Sequence, residues 1–366
     1  MEATSGIQIC TSYAMIILGT RGVPNQHGGF EALAENLRDG YASKGLECSV
    51  IGNRDLEVAS SFIGRITSLP MLRSLETPLR TWSVRKQARG HESVLVVNPV
   101  NVFTALWLAR RGSKVILHMD GMEDQRGKWG YFARRAHRLA RYIAAKSNLA
   151  LVTDSEAIQN WYRQMFRKNS ILISYGGCKI SEADSSHIWR KEFVGDYYLV
   201  VARPEPENQI YEICEAFLKS KSPWHLVIVG APVNQTTYWK QVQRLVGDST
   251  RVRLVGSIYD REQLCALYMK TRGVVHGHTV GGTNPSLVDA LSHGCPVFAH
   301  ANPYNQEVVG LDASTWKNVK ELTDFFNADM PPNATVDDIE FRRKYNWADV
   351  TKKYLDAFAN CGAEGN

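Results

Sequence analysis

Twice along the chain, short apolar runs rich in β-branched residues alternate with stretches whose apolar residues recur at helical spacing. YAMIILG (13–19), ECSVIG (47–52), SVLVVN (93–98), KVILHM (114–119), LALVTD (149–154) and ILISYG (171–176) make the first series, with helical patterns near 30–45, 101–111, 130–146 and 155–166. After a polar stretch to about 195 the alternation restarts with YYLVVA (197–202), HLVIVG (225–230), RVRLVG (251–256), GVVHGH (273–278) and PVFAH (296–300). Helical candidates at 210–220, 236–246, 260–271 and 285–293 separate them. Strands joined in this way by helices pair in parallel and are covered on both faces. The chain is therefore expected to be α/β, with two tandem Rossmann-like, doubly wound domains. In open parallel sheets ligands bind beyond the carboxyl ends of the strands, so two such domains facing each other enclose one deep cleft.

The expected boundaries are 1–190 for the first domain, 191–345 for the second and 346–366 for a terminal segment. That segment contains NWADVTKKYLDAFAN (346–360), an amphipathic helix with no strand to follow. Residues 58–91, which hold Arg65, Arg73, Arg80, Arg85, Lys86 and Arg89, are expected to be a loop followed by a basic helix.

Charge is unevenly divided. The first 190 residues carry 25 Lys/Arg and 16 Asp/Glu, the remainder 18 and 21. The excess concentrates in 101–150, where ten basic residues face only Asp120, Glu123 and Asp124. Such a cluster suits phosphates or anionic headgroups, or else is a solvated helix face. A nucleic-acid role is disfavoured, because no recognised domain signature or interleaved aromatic platform accompanies these residues. Seven scattered cysteines without a Cys-x-x-Cys pair argue for reduced thiols and against a zinc ribbon. The start MEATSGIQICTS lacks an apolar core of signal-peptide length, and no run reaches the roughly 18–20 apolar residues that span a bilayer. A cytoplasmic protein is expected.

Four segments could carry chemistry. GTRGVPNQHGGFE (19–31) sets Gly28 and Gly29 between the first strand and a helix, where bare amides at a positive helix end can approach an anion. The spacing is neither Gly-x-Gly-x-x-Gly nor a P-loop, and a tight turn alone would also explain the pair. HGHTVGGTNPSLVDALSHG (276–294) is more specific. A strand runs into Gly281, Gly282, Thr283 and Asn284, then Pro285 opens a helix with Asp289 about one turn in. The loop amides would point at a phosphate and Asp289 at a ribose diol. In ARPEPENQ (202–209), Arg203 would face the cleft, where a guanidinium suits a pyrophosphate; a surface pair with Glu205 or Glu207 is the plainer alternative. HMDGMEDQRGKWG (118–130) gathers His118, Asp120, Glu123 and Asp124 beside Arg126 and Lys128, a density of ionisable groups that suits a reacting site. The loop offers no second histidine at ligand spacing and the chain no Asp-x-Asp pair, so metal independence and no cofactor are expected. The following helix, WGYFARRAHRLARYIAAK (129–146), either rests on an anionic membrane or, more economically, packs its apolar stripe on its own sheet.

Together GTRGVPNQHGGFE, DGMEDQRGKWG, RPEPEN and HGHTVGGTNPSLVDAL resemble the rhamnosyltransferase-like branch of glycosyltransferase family four, with a group-one glycosyltransferase C-terminal domain. The resemblance covers roughly 13–358. It implies the glycosyltransferase B-type fold, a nucleotide-sugar donor held mainly by the second domain, an acceptor held mainly by the first, and a terminal helix crossing back to the first. It gives Gly28 and Gly29 to the loop closing on the donor phosphate, matches Arg203 to a phosphate-binding arginine, and matches Asp289 to the second of two acidic residues eight apart. Gly281 stands where the first of these would be and Asn208 where a phosphate-binding lysine usually lies, two departures that read as donor tuning; Asp289 in place of the usual glutamate shortens the reach to the ribose by one methylene. Asp120 and His118 are the expected catalytic or orienting groups, with Arg203.

The implied reaction is retaining transfer of a hexosyl group, L-rhamnosyl from dTDP-rhamnose above others, to a lipid-linked or oligosaccharide acceptor in surface polysaccharide assembly, at the inner face of the plasma membrane. Three alternatives stand: the same scaffold with UDP-glucose, UDP-N-acetylglucosamine or GDP-mannose; a non-catalytic nucleotide-sugar-binding subunit; and a two-domain epimerase.

Overall fold

The structure, a computed structural model, describes residues 15–24, 28–52, 76–119, 121–127, 129–177, 196–232, 235–310, 315–328 and 338–361. It contains two six-stranded parallel sheets, each flanked by helices. The first is built from β1 (Met15–Leu18), β2 (Cys48–Ile51), β3 (Ser93–Val97), β4 (Lys114–His118), β5 (Ala150–Thr153) and β6 (Ile171–Leu172), in the order β2-β1-β3-β4-β5-β6. Its helices are α1 (Gly29–Ala42), α2 (Glu76–Val84), α3 (Val102–Ala109), α4 (Tyr131–Lys146) and α5 (Glu156–Phe166). The second consists of β7 (Tyr197–Val201), β8 (His225–Val229), β9 (Val252–Gly256), β10 (Gly273–His276), β11 (Val297–His300) and β12 (Thr315–Trp316), ordered β12-β11-β10-β7-β8-β9. Around it lie α6 (Ile210–Lys219), α7 (Thr237–Val246), α8 (Arg261–Lys270), α9 (Pro285–Ser292), α10 (Pro303–Val309) and α11 (Val319–Ala328). The alternation in the sequence is thus the alternation in space.

The strands are short, and the inner ones are buried: Met15 to Leu18, Val94 to Val97 and Leu226 to Val229 are at most 3% exposed. Each sheet has an apolar cluster on either face. In the first, Ile16, Leu18, Val94 and Val96 point to one cluster and Met15, Ile17, Leu95 and Val97 to the other, as the two-residue period of a strand requires. In both sheets the strand order reverses beside the first strand. In the first sheet β1 lies between β2 and β3, and in the second β7 lies between β8 and β10. Loops leaving the carboxyl ends at such a reversal diverge to opposite faces and leave a crevice.

Residues 301–345, unassigned by periodicity, supply α10, β12, α11 and α12 (Asp338–Lys344). Of the segment 58–91, Glu76–Val84 is helical, and the residues before it lie outside the described ones. The last helix, α13 (Trp347–Asn360), packs on α1 of the first lobe, where Val350, Tyr354, Ala357 and Phe358 join Leu33, Leu37 and Tyr41 in one core. Where it begins, Asn346 bridges to Gly177, whose amide donates to the Tyr345 carbonyl at 3.1 Å.

Candidate nucleotide-sugar site

A cavity of about 450 Å³ lies between the lobes, at the reversal points of both sheets. This is within the range of small-molecule sites. Its first-lobe wall comes from the loops after β1, β3 and β4, with Gly28, Gly29, Glu31, Asn98, Glu123 and Arg126. Its second-lobe wall comes from the loops after β7, β9 and β10, with Arg203, Asn208, Ile258, His278, Asn284 and Asp289.

The two glycine turns meet across this space. Gly28, at φ +151°, caps α1, and a β-carbon on Gly29 would stand 3.7 Å from Pro285 Cγ. Opposite, Asn284 caps α9: its side-chain oxygen accepts the Ser286 amide at 3.0 Å and the Ser286 hydroxyl at 2.9 Å. Pro285 fills the first helical position. Gly282 abuts the buried Asp154 carboxylate of the first lobe, leaving no room for a side chain, and Thr283 Oγ1 donates to the Asp154 carbonyl at 2.5 Å. Gly281, at φ +144°, touches Gly121, and a β-carbon there would come 2.7 Å from His278 Nε2. This position accepts only glycine. Gly281 itself does not line the cavity, so of the expected donor-loop residues it serves the lobe contact while Gly282, Thr283 and Asn284 face the space.

Arg203 leaves the end of β7 with its side chain 37% exposed and pairs loosely with Glu205 at 3.5 Å. It lines the cavity and also has an acidic neighbour. Asn208 is buried and lines the wall, but its amide is engaged within the lobe. Its Nδ2 donates to the Arg203 carbonyl at 2.8 Å, and its Oδ1 accepts from His278 Nδ1 at 2.7 Å. The side chain expected to meet a phosphate thus fixes the Arg203 backbone and the tautomer of His278, whose Nε2 then faces the Gly281 turn.

The cluster after β4 divides. Glu123 faces the cavity, pairs with Arg126 at 2.8 Å and accepts Trp129 Nε1 at 2.9 Å. Asp124 turns away and pairs with Arg141 of α4 at 2.7 Å, so it supports the helix instead of a reacting centre. Asp120 and Lys128 lie outside the described residues. His118 does not reach the cavity. It sits behind two lining residues, its ring 5.6 Å from Phe30 and 6.0 Å from Tyr175, and burial pushes its pKa down to about 3. His118 is thus an enclosed imidazole held neutral by burial, one layer behind the cavity wall.

Sequence reasoning passed over His278, Glu31 and Asp154. Glu31 is buried in the first turn of α1, and its Oε1 accepts the Arg21 amide at 2.9 Å, tying the loop after β1 to the helix. His278 follows a strand end directly, the position that carries ligands in such sheets, and that was the available signal. Among the described residues no three His, Cys, Asp or Glu side chains converge as a metal-ligand set, and no helix is long and apolar enough to cross a membrane.

No protein-family model and no curated protein matches the sequence. Solved structures do share the fold. Sucrose-phosphate synthase from Thermosynechococcus elongatus superposes with a TM-score of 0.74 at 12% identity, over 96% of this chain and 100% of that one. HepE of Anabaena, in complex with UDP and glucose, gives 0.70 at 15% identity over 95% and 100%. A glycosyltransferase from Rickettsia africae gives 0.66 at 10% identity over 98% and 100%. Two parallel Rossmann-like sheets, reversing beside a shared cleft and closed by a returning terminal helix, give this chain the glycosyltransferase B-type fold.

Proposed function

We propose that the chain is a glycosyltransferase that takes a hexosyl group from a nucleotide-sugar donor, and that the donor is dTDP-L-rhamnose. The observation that carries the transferase reading is the single cavity walled by Gly28 and Gly29 on one lobe and by Arg203 and the Gly282–Asp289 turn on the other. A diphosphate there would meet the amino ends of α1 and α9 together with one guanidinium, an arrangement suited to growing negative charge. Ile258, Leu264 and Val229 give an apolar wall for a base, and Asp289 a carboxylate for the ribose diol. Retention follows from front-face substitution. The C1–O bond to the donor phosphate breaks, the acceptor oxygen forms the new bond on the same face, and its proton passes to the departing diphosphate. No metal takes part in this scheme. The acceptor is a lipid-linked oligosaccharide in surface polysaccharide assembly, reached at the cytoplasmic face of the plasma membrane.

The test is release of nucleoside diphosphate from dTDP-rhamnose with a lipid-diphosphate acceptor. Arg203→Ala should cut kcat on the order of 100-fold, as loss of one charge-stabilising donor does; unchanged turnover overturns the role. A second reading keeps the transferase and changes the donor. HepE was captured with UDP-glucose and the pneumococcal O-GlcNAc transferase GtfA with UDP and GlcNAc, so UDP belongs in the competition series beside dTDP and GDP. Tighter binding of UDP than of dTDP would move the donor to that class.

A further inference from the structure

We infer that the outer face of α4 is a docking surface for an anionic lipid bilayer. The helix is turned opposite to ordinary amphipathic practice, in which the large apolar side chains go inward. It buries Ala133, Ala140, Ala144 and Ala145 together with His137 and the paired Arg141. Outward it presents Tyr131, Phe132, Leu139 and Tyr142, which are 51–71% exposed. At about 100° per residue these four positions fall within roughly a third of the helix circumference, so they share one side instead of being scattered singly. Interleaved with them are exposed Arg134, Arg135, Arg138 and Lys146. The helix has no acidic residue. Asp124, beside it, pairs with the buried Arg141 and only at 3.4 Å with Arg138.

An apolar face against another protein would be strained by four cations in its midst, whereas a bilayer interface accepts both. Aromatic rings and leucine settle at the headgroup boundary, while arginine and lysine extend to anionic phosphates. Phe103 on the neighbouring α3 is likewise 58% exposed. The position adds a purpose that rests on the transferase reading above. Trp129 lines the cavity and α4 starts two residues later, so a docked face holds the first-lobe rim of the cavity at the lipid surface, where a lipid-linked acceptor's sugar would stand.

The test is flotation of the full chain with phosphatidylcholine vesicles, with and without phosphatidylglycerol, at low and high salt. Two paired variants accompany it, Arg134→Gln with Arg135→Gln and Phe132→Ser with Leu139→Ser. Thermal melting and nucleoside diphosphate binding are measured without lipid. Binding should require phosphatidylglycerol and fall at high salt. The charge variant should bind more weakly by about tenfold or more, the apolar variant should also weaken, and both should melt and bind nucleotide as wild type. Equal binding to neutral vesicles, no binding at all, or variants that float like wild type overturn the surface. So does a concentration-dependent dimer that either variant abolishes, since the face would then belong to a second copy. Lost nucleotide binding with intact flotation would instead sink the donor-site reading alone.

Discussion

Gly282 meets the Asp154 carboxylate where its own β-carbon would be, and Thr283 beside it donates to the Asp154 carbonyl. The turn after β10 is therefore seated on the opposite lobe through its backbone, and a side chain at 282 forces the two apart. Gly282→Val should leave each lobe folded, with an unchanged melting profile, and lower kcat/KM on the order of 100-fold, the usual cost of misplacing a site by about an ångström. Asp154→Ala in the same chain should recover part of that loss by vacating the space; a double variant no better than Gly282→Val would reject the steric account. The glycines, Arg203 and Asp289 were legible because turn chemistry and strand ends are local signals. The pairing of Asn208 with His278 was not, since that bond spans 70 residues. No spacing rule announces such a partner.

Among the elements, α13 shows most plainly what a helix pattern does and does not say. Its amphipathic stripe was readable, but a stripe fits any apolar surface, and the docking place depends on a gap in α1. Gly40 is that gap, because a β-carbon there would strike the Thr351 hydroxyl. Gly40→Val should destabilise the protein by about 1–3 kcal/mol through overpacking, measured as an earlier denaturant midpoint. Thr351→Ala combined with it should return much of the difference, and a neutral Gly40→Val would show that the helix tolerates displacement. The region from 301 to 345 escaped the reading for another reason. A seven-residue helix and a two-residue strand are too short to display a period; the caps were the usable sign, with Asn302 accepting the Asn305 amide before Pro303. With α4 the expected packing on its own sheet is made by the alanines, which join the first-lobe core, while the larger apolar residues beside them stay exposed.

For the whole molecule, both sheets close their central strands on buried histidines. His118 ends β4 and His276 ends β10, and burial lowers each pKa to about 3. As pH falls below the unfolded value of about 6.5, the unfolded chain takes up protons that the folded one refuses. The stability these two groups contribute is complete above that pH and drains away towards pH 3. Each should steepen the acid loss by about 1.4 kcal/mol per pH unit within that window. His276→Gln and His118→Gln should each flatten the fall of urea midpoint with pH, and an unaltered profile would mean the imidazoles are proton-accessible in the native state.

The paired crossing at Gly177 and Asn346 carries a mechanical corollary. A peptide that leaves one lobe and a peptide that returns to it run side by side, bonded to each other, so the halves are bound like the boards of a book along a doubled spine. Such a pairing opposes sliding more than it opposes swinging about that line. A cross-link between Glu35 and Arg261, on opposite boards and already 2.9 Å apart, would lock the volume shut.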